Sequence, residues 1–223
     1  MLKRTVAIVG ITGRIGTRTA KELLERGFDV IGINRRPERI PLRCTDFSCT
    51  TRKADAGNYT EIFEAIRGAD AVVMAVEPTR EHPESYPADN MNVLKACKEQ
   101  GVKLFITLLN YYALKAPDGR LMLEADPVHP EFLPIENAYL DAAMLIKTEK
   151  ELDWLIIAAP GEMVPYMGKT GVYRIQEDIL VTTDPGSMDF KKTSRLSMED
   201  MAHCIAEQVE KQNRRHQIIS VAY

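Results

Sequence analysis

An apolar run that stops on a glycine, followed by two further glycines at three-residue spacing and then by helical periodicity, leaves few architectures open. Here the run is Val6-Ala7-Ile8-Val9, and the glycines belong to Gly10-Ile11-Thr12-Gly13-Arg14-Ile15-Gly16. The short β-branched run predicts a buried strand. Arg14 to Arg26 carries an apolar stripe of Ile15, Ala20, Leu23 and Leu24, which predicts a helix, and Gly27 ends it as a C-cap. A strand feeding straight into a helix aims the free N–H groups of the first turn at one point, with roughly half a positive charge from the helix dipole behind them. Gly10 lets the chain turn sharply, Gly13 removes a side chain where a phosphate must approach, and Gly16 lets the helix pack closely on the sheet. Together with Thr12, Arg14 and Ile15 these residues predict a cradle for the pyrophosphate of a dinucleotide, because the glycines stand between a strand and a helix.

The alternation continues. Strands are expected at Asp29 to Ile33, around Thr50 to Ala54, at Ala71 to Val76 and at Val102 to Leu109, with helices at Tyr59 to Arg67 and Ala88 to Gln100. The stretch from Pro37 to Ser48 has no clear period. Strands alternating with helices require crossover connections, which are right-handed in nearly all cases. The expected fold is therefore α/β, a Rossmann-type doubly wound parallel sheet with ligands at the carboxyl ends of its strands. After Asn110 the rhythm breaks into a segment rich in Pro, Asp and Tyr to about residue 135, then a helix from Ile135 to Leu152 and a strand from Trp154 to Ala159. Residues 162 to 196 hold strand-like pieces at Val172 to Ile175 and Ile179 to Thr182. Ser197 caps a last helix to about Lys211, and Ile218 to Val221 closes with a strand. The expectation is a single domain over residues 1–223, with a small C-terminal substrate-side lobe built from roughly 110–135 and 160–196.

Composition excludes several function classes. The 223 residues carry a net charge of −3 with both signs mixed along the chain, so nucleic acid is not an expected partner. No apolar run reaches the ~20 residues of a membrane span, and Met1 to Thr5 lead straight into a strand without room for a signal peptide. A cytoplasmic protein acting on a small molecule is expected, with no membrane partner, and no oligomeric state is read from the chain. Cys44, Cys49, Cys97 and Cys204 form no CxxC pair, so they are read as small buried thiols rather than as metal ligands or disulfides.

The cofactor follows from the end of the second strand. NAD sites usually place an acidic residue there to hold the ribose 2′-hydroxyl, whereas this chain has Asn34-Arg35-Arg36. Guanidinium groups pair bidentately with a 2′-phosphate that a carboxylate would repel. NADP(H) is therefore expected over NAD(H), with Arg14 as a further positive contact. Asp55 after the third strand suits the adenine, and Ala75 and Val76 at the end of the fourth strand border the same site.

The GxxGxxG spacing resembles the extended and atypical branches of the short-chain dehydrogenase/reductase superfamily. Over nearly the whole length the chain resembles the atypical members known as NAD(P)H-binding or NmrA-like proteins. The likeness rests on the Val6–Gly16 loop, Arg35-Arg36-Pro37, Gly68-Ala69-Asp70-Ala71-Val72-Val73, and Leu152-Asp153-Trp154-Leu155-Ile156-Ile157 leading to Pro160-Gly161. Gly171-Val172-Tyr173 and Arg195-Leu196-Ser197-Met198-Glu199-Asp200-Met201-Ala202 are similar to the C-terminal half of the biliverdin reductase B/flavin reductase group. That resemblance implies NADPH-dependent hydride transfer to a flavin, quinone or other small planar acceptor. The superfamily also contains isomerases, epimerases, pathway-specific reductases and redox sensors that bind the cofactor without turning it over.

Catalytic short-chain dehydrogenases use a Tyr with a Lys four residues on, which lowers the tyrosine's pKa, and a Ser or Thr at the end of the fifth strand. Tyr111 and Lys115 have that spacing but follow the strand directly, an accidental match. Tyr139 has Ala143 four residues on, and Lys147 lies roughly 12 Å farther along the helix axis. Thr107 is the candidate hydroxyl at the end of the strand. Thr107, Tyr111 and Tyr139 are thus the catalytic candidates, and Tyr112, Glu162 and Met163 are the substrate-side ones. His82 and His129 are expected at the surface, and Trp154 in the core.

Overall fold

The computed structural model describes residues 4–36 and 49–223. Residues 37–48, including Cys44, lie outside the described residues. Strand β1 (Thr5–Val9) leads into helix α1 (Arg14–Glu25), and β2 (Asp29–Asn34), β3 (Cys49–Lys53), α2 (Tyr59–Ala65), β4 (Ala71–Met74), α3 (Tyr86–Glu99) and β5 (Leu104–Leu109) follow. Then come α4 (Met122–Ala125), α5 (Leu133–Ile146), β6 (Asp153–Ala158), β7 (Glu162–Val164), β8 (Arg174–Glu177), α6 (Phe190–Thr193), β9 (Arg195–Ser197), α7 (Met198–Lys211) and β10 (Gln217–Ala222). Among the described residues, eight strands form one sheet in the order β3-β2-β1-β4-β5-β6-β10-β8, and β7 pairs with β9 in a separate two-stranded ribbon. The order reverses between β1 and β4, where the chain crosses from one half of the sheet to the other. Ligands of such sheets sit outside that switch point.

The strands at the centre are buried on both faces, as parallel sheets require. One layer, with Ile62, Leu94, Phe105 and Ile146, fills the space under α2, α3 and α5. The other, with Ile8, Leu23, Ile106 and Ile205, lies under α1 and α7. Trp154 is 3% exposed, and its indole N–H donates to the carbonyl of Glu149. Cys97 and Cys204 are fully buried, whereas Cys49 on the edge strand β3 is half-buried. Among the described residues no helix is long and apolar enough to cross a membrane.

The structure departs from the sequence expectations mainly after β5. The helix expected to run to Leu152 ends at Ile146, because the Glu149 carboxylate accepts the backbone N–H groups of Glu151 and Leu152 and draws the chain out of the helix. The sheet is not wholly parallel: β8 runs antiparallel to β10 at the edge. The strand expected at Val172 to Ile175 starts two residues later, since Gly171 has φ +68° and Thr170 and Gly171 are held by Asp200. Ile179 to Thr182 makes only an isolated bridge through Ile179, after Asp178 takes a left-handed turn at φ +57°.

Asp200 is the polar hub of this half. It is fully buried, and its carboxylate accepts from Thr170 N–H (3.0 Å), Gly171 N–H (2.8 Å), the Thr170 hydroxyl (2.8 Å) and the Tyr223 hydroxyl (2.6 Å). Burial alone would raise its pKa, but the hydrogen bonds from Tyr223, Gly171 and Thr170 outweigh that and hold it below the ordinary aspartate range. A carboxylate depressed in the folded state contributes stability above its unfolded pKa of about 4 and loses it as pH falls through the folded value. Asp200→Asn is therefore expected to destabilise the protein by about 2–3 kcal/mol at neutral pH. In calorimetry the gap from the parent chain should narrow below about pH 4; a gap that does not change with pH would contradict this role for the charge.

Candidate functional site

The site is built around the exit from β1. Gly10 has φ +87°, and a Cβ there would lie 2.6 Å from the Ala75 carbonyl oxygen. A Cβ at Gly16 would stand 2.3 Å from the carbonyl oxygen of Gly10, so the first turn of α1 rests directly on the loop. The N–H groups of Gly10 and Ile11 donate to the Ile33 carbonyl, and the Thr17 hydroxyl donates to the Ile11 carbonyl at 2.8 Å. Gly13 is the N-cap of α1 and offers no side-chain cap. The helix therefore presents its positive end uncovered, with a side-chain-free position beside it, and this fits a pyrophosphate.

Two clefts open on either side of this point, of about 430 Å³ and about 460 Å³. Each falls within the range of small-molecule sites. Thr12, Gly13, Ala75, Val76 and Glu77 line both, forming a ridge between them.

The first cleft lies over β2 and β3. Asn34 donates from its amide to the Thr12 hydroxyl, tying the end of β2 to the glycine loop. Arg35 and Asp55 both line the cleft, with 4.0 Å between guanidinium and carboxylate, and Arg35 is 68% exposed. A pair so open to water contributes little to stability, so the guanidinium is available to a ligand. Of the three arginines expected around a 2′-phosphate, only Arg35 is here: Arg36 is exposed and lines neither cleft, and Arg14 lines the second. Asp89 of α3, which the sequence did not single out, also lines the first cleft, and burial and the nearby Asp55 push its pKa up.

The second cleft is bordered by Arg14 and Ile15, by Leu108, Leu109 and Asn110 at the end of β5, and by Tyr139, Ala159, Met163 and Met201. Ile15, Tyr139 and Met163, all candidates from the sequence, thus line one cleft. The Tyr139 ring meets Tyr86 edge-on at 5.2 Å, its hydroxyl has no hydrogen-bond partner among the described residues, and burial pushes its pKa up. It is a neutral donor.

Four other candidates are placed elsewhere. Thr107 is fully buried and donates to Asn90 Oδ1 at 2.8 Å, beneath the clefts. Side chains alternate along a strand, and Thr107 shares the α3-facing side with Phe105. Tyr111 and Tyr112 stack at 4.4 Å and both donate to Asp126 Oδ2, at 2.7 and 3.0 Å. Burial pushes both hydroxyls up, Tyr112 to about 12, and neither lines a cleft. Lys115, four residues on from Tyr111, is exposed, while Tyr111 is buried against Asp126. Glu162 pairs with Arg195 across the β7–β9 ribbon at 2.7 Å and does not line the second cleft. His82 and His129 are both exposed, His82 at the rim of the first cleft.

The sequence missed Asn110, Ala159 and Met201. A polar residue ending strand five is a readable signal for Asn110, whereas Met201 reaches the cleft from α7, far along the chain.

Among curated proteins the chain is similar to cinnamoyl-CoA reductase 1 of Oryza sativa subsp. japonica, 27% identical over 133 residues, 53% of this chain and 39% of that protein. It thus spans about two fifths of the length of that relative. Among solved structures, a Bacteroides thetaiotaomicron protein named as an epimerase superposes with a TM-score of 0.87 at 25% identity, covering 99% of this chain and 97% of that one. A Streptococcus pneumoniae TIGR4 protein named as an NADH-flavin reductase gives 0.78 at 21% identity over 98% and 99% of the two chains. A short-chain dehydrogenase/reductase of Veillonella parvula DSM 2008 in complex with NADP gives 0.73 at 16%, covering 100% and 95%. The last two likenesses concern the fold. Residues 10–212, nearly the whole chain and the entire cradle described above, match the NAD(P)H-binding family, and the protein belongs to it.

Proposed function

We propose that this protein is an NADPH-dependent reductase that passes hydride to a flavin, quinone or other small planar acceptor held in the second cleft. The observation that carries this reading is the second cleft itself: a chamber of mixed apolar and polar lining against the uncapped end of α1, with Tyr139 as a neutral donor and no Tyr–Lys pair on its wall. An electron-poor planar acceptor needs no dedicated proton donor, since water can deliver the proton. When bound, the cofactor would supply a hydride and be left oxidised, and the acceptor would take up that hydride with one proton from water.

The chain's own residues bind and orient. The α1 N-terminus with Gly13 would hold the pyrophosphate, and the ridge of Ala75, Val76 and Glu77 between the two clefts would divide the adenosine side from the nicotinamide side. Ile15, Leu108, Met163 and Met201 exclude water from the reacting face. Arg35, exposed at the first cleft, supports NADP(H) over NAD(H) by pairing with the 2′-phosphate.

Two measurements check this. Arg35→Ala should weaken NADPH binding roughly tenfold, the scale of one charge-assisted hydrogen bond, and leave NADH binding nearly unchanged; equal losses would remove the 2′-phosphate role. Steady-state oxidation of NADPH should depend on added FMN, FAD or a quinone. NADPH binding without turnover by any of them would instead make the protein a cofactor-binding sensor.

A further inference from the structure

The second cleft has one polar wall residue whose orientation is fixed by its neighbours. Asn110 closes β5 and caps the short 3-10 turn Tyr111–Ala113, its Oδ1 accepting the Tyr112 N–H at 3.1 Å. Its Nδ2 donates to the carboxylate of Glu136 on α5. A backbone N–H can only donate and a carboxylate can only accept, so the two bonds determine which way round the amide stands. The oxygen is committed to the turn and one N–H to Glu136, leaving a second N–H on a residue that lines the cleft.

Glu136 lies three residues before Tyr139 on α5, on the same side of the helix. It is half-buried, and burial together with the charge of Asp126 pushes its pKa up against the opposing bond from Asn110. Asp126 in turn is satisfied by the hydroxyls of Tyr111 and Tyr112. The two buried tyrosines thus hold Asp126, whose charge reaches Glu136.

Resting on the reductase reading above, we propose that Asn110 is the residue that orients the acceptor, donating its free N–H to a carbonyl oxygen of a neutral substrate. Glu136 is the positioning residue that holds the amide. The chemistry of the wall favours a neutral carbonyl compound such as a quinone over an anion: Asn110 and Tyr139 are both uncharged donors, and the lone cation among the lining residues, Arg14, sits at the glycine-loop end.

Titration of menadione into the full chain, with and without bound NADP⁺, tests the assignment independently of turnover. Asn110→Ala should weaken menadione binding about fivefold and leave the NADP⁺ affinity within about twofold, a split on the scale of one lost neutral hydrogen bond. Glu136→Ala should weaken menadione in the same direction. Glu136→Gln should restore it to within about threefold, because its amide oxygen can accept the same N–H. If loss of the turn cap unfolds Asn110→Ala, the pair Asn110→Asp with Glu136→Gln keeps the bond from the Tyr112 N–H, reverses the bond between positions 110 and 136, and puts a carboxylate oxygen in place of the N–H toward the cleft. That double variant should fold and lose menadione. Unchanged menadione binding in Asn110→Ala or the swapped pair, no menadione binding by the parent chain, or no rescue by Glu136→Gln would each overturn the assignment. Menadione binding that depends on Asn110 without any NADPH oxidation would sink the reductase reading and leave the assignment standing.

Discussion

The first turn of α1 approaches the loop leaving β1 so closely that a single methyl group at position 16 would stand 2.3 Å from a backbone oxygen. The rest of the binding end is arranged around this approach. Gly10 turns the chain at a φ that side chains resist, Ala75 closes in from the neighbouring strand, and Gly32 makes room for Ile11 beneath the loop. No bulky group stands between helix and sheet, so the helix end arrives bare, and the electrostatics of that end become available to a ligand rather than to a capping side chain. Packing and binding are here the same constraint.

The C-terminal half supplies the other wall. α7 carries Asp200, which ties down the loop at Thr170 and Gly171, and in the next position Met201, which lines the second cleft. Near its middle, α7 meets α1 through His203, whose Nδ1 lies 3.0 Å from Glu22, a carboxylate also held by Arg26 and Lys169. Gly161 lets the turn after β6 approach the Phe190 carbonyl, where a Cβ would be 2.2 Å away, and so keeps Met163 against the sheet end. The lobe is thus held by buried polar contacts as well as by apolar area, and the contacts of Asp200, His203 and Lys169 each join residues far apart in sequence.

That difference in range explains what the sequence revealed. The glycine loop, α1 and the first five strands follow from local periodicity and local turn chemistry, and the structure places them within a few residues of expectation. The β7–β9 ribbon escaped notice because three-residue strands have no period to detect, and the antiparallel β8 because register and direction come from its partner. At the site, Thr107 and Asn110 show how fine the margin is. Both are polar residues near the end of β5, yet strand alternation sends one hydroxyl into the α3 layer and leaves the other residue at the cleft. Arg35 and Arg36 repeat the lesson, since adjacent residues leaving a strand point apart and only one reaches the first cleft.

The ridge of Thr12, Gly13, Ala75, Val76 and Glu77 belongs to both clefts, and it acts as a ruler. A mononucleotide can occupy one chamber and leave the other to solvent, whereas a molecule with two ring systems on a flexible diphosphate tether can straddle the divide. Discrimination among nucleotides at this surface therefore begins with tether length, before any atom of either ring is read. An adenosine fragment would fill one chamber and leave the other open.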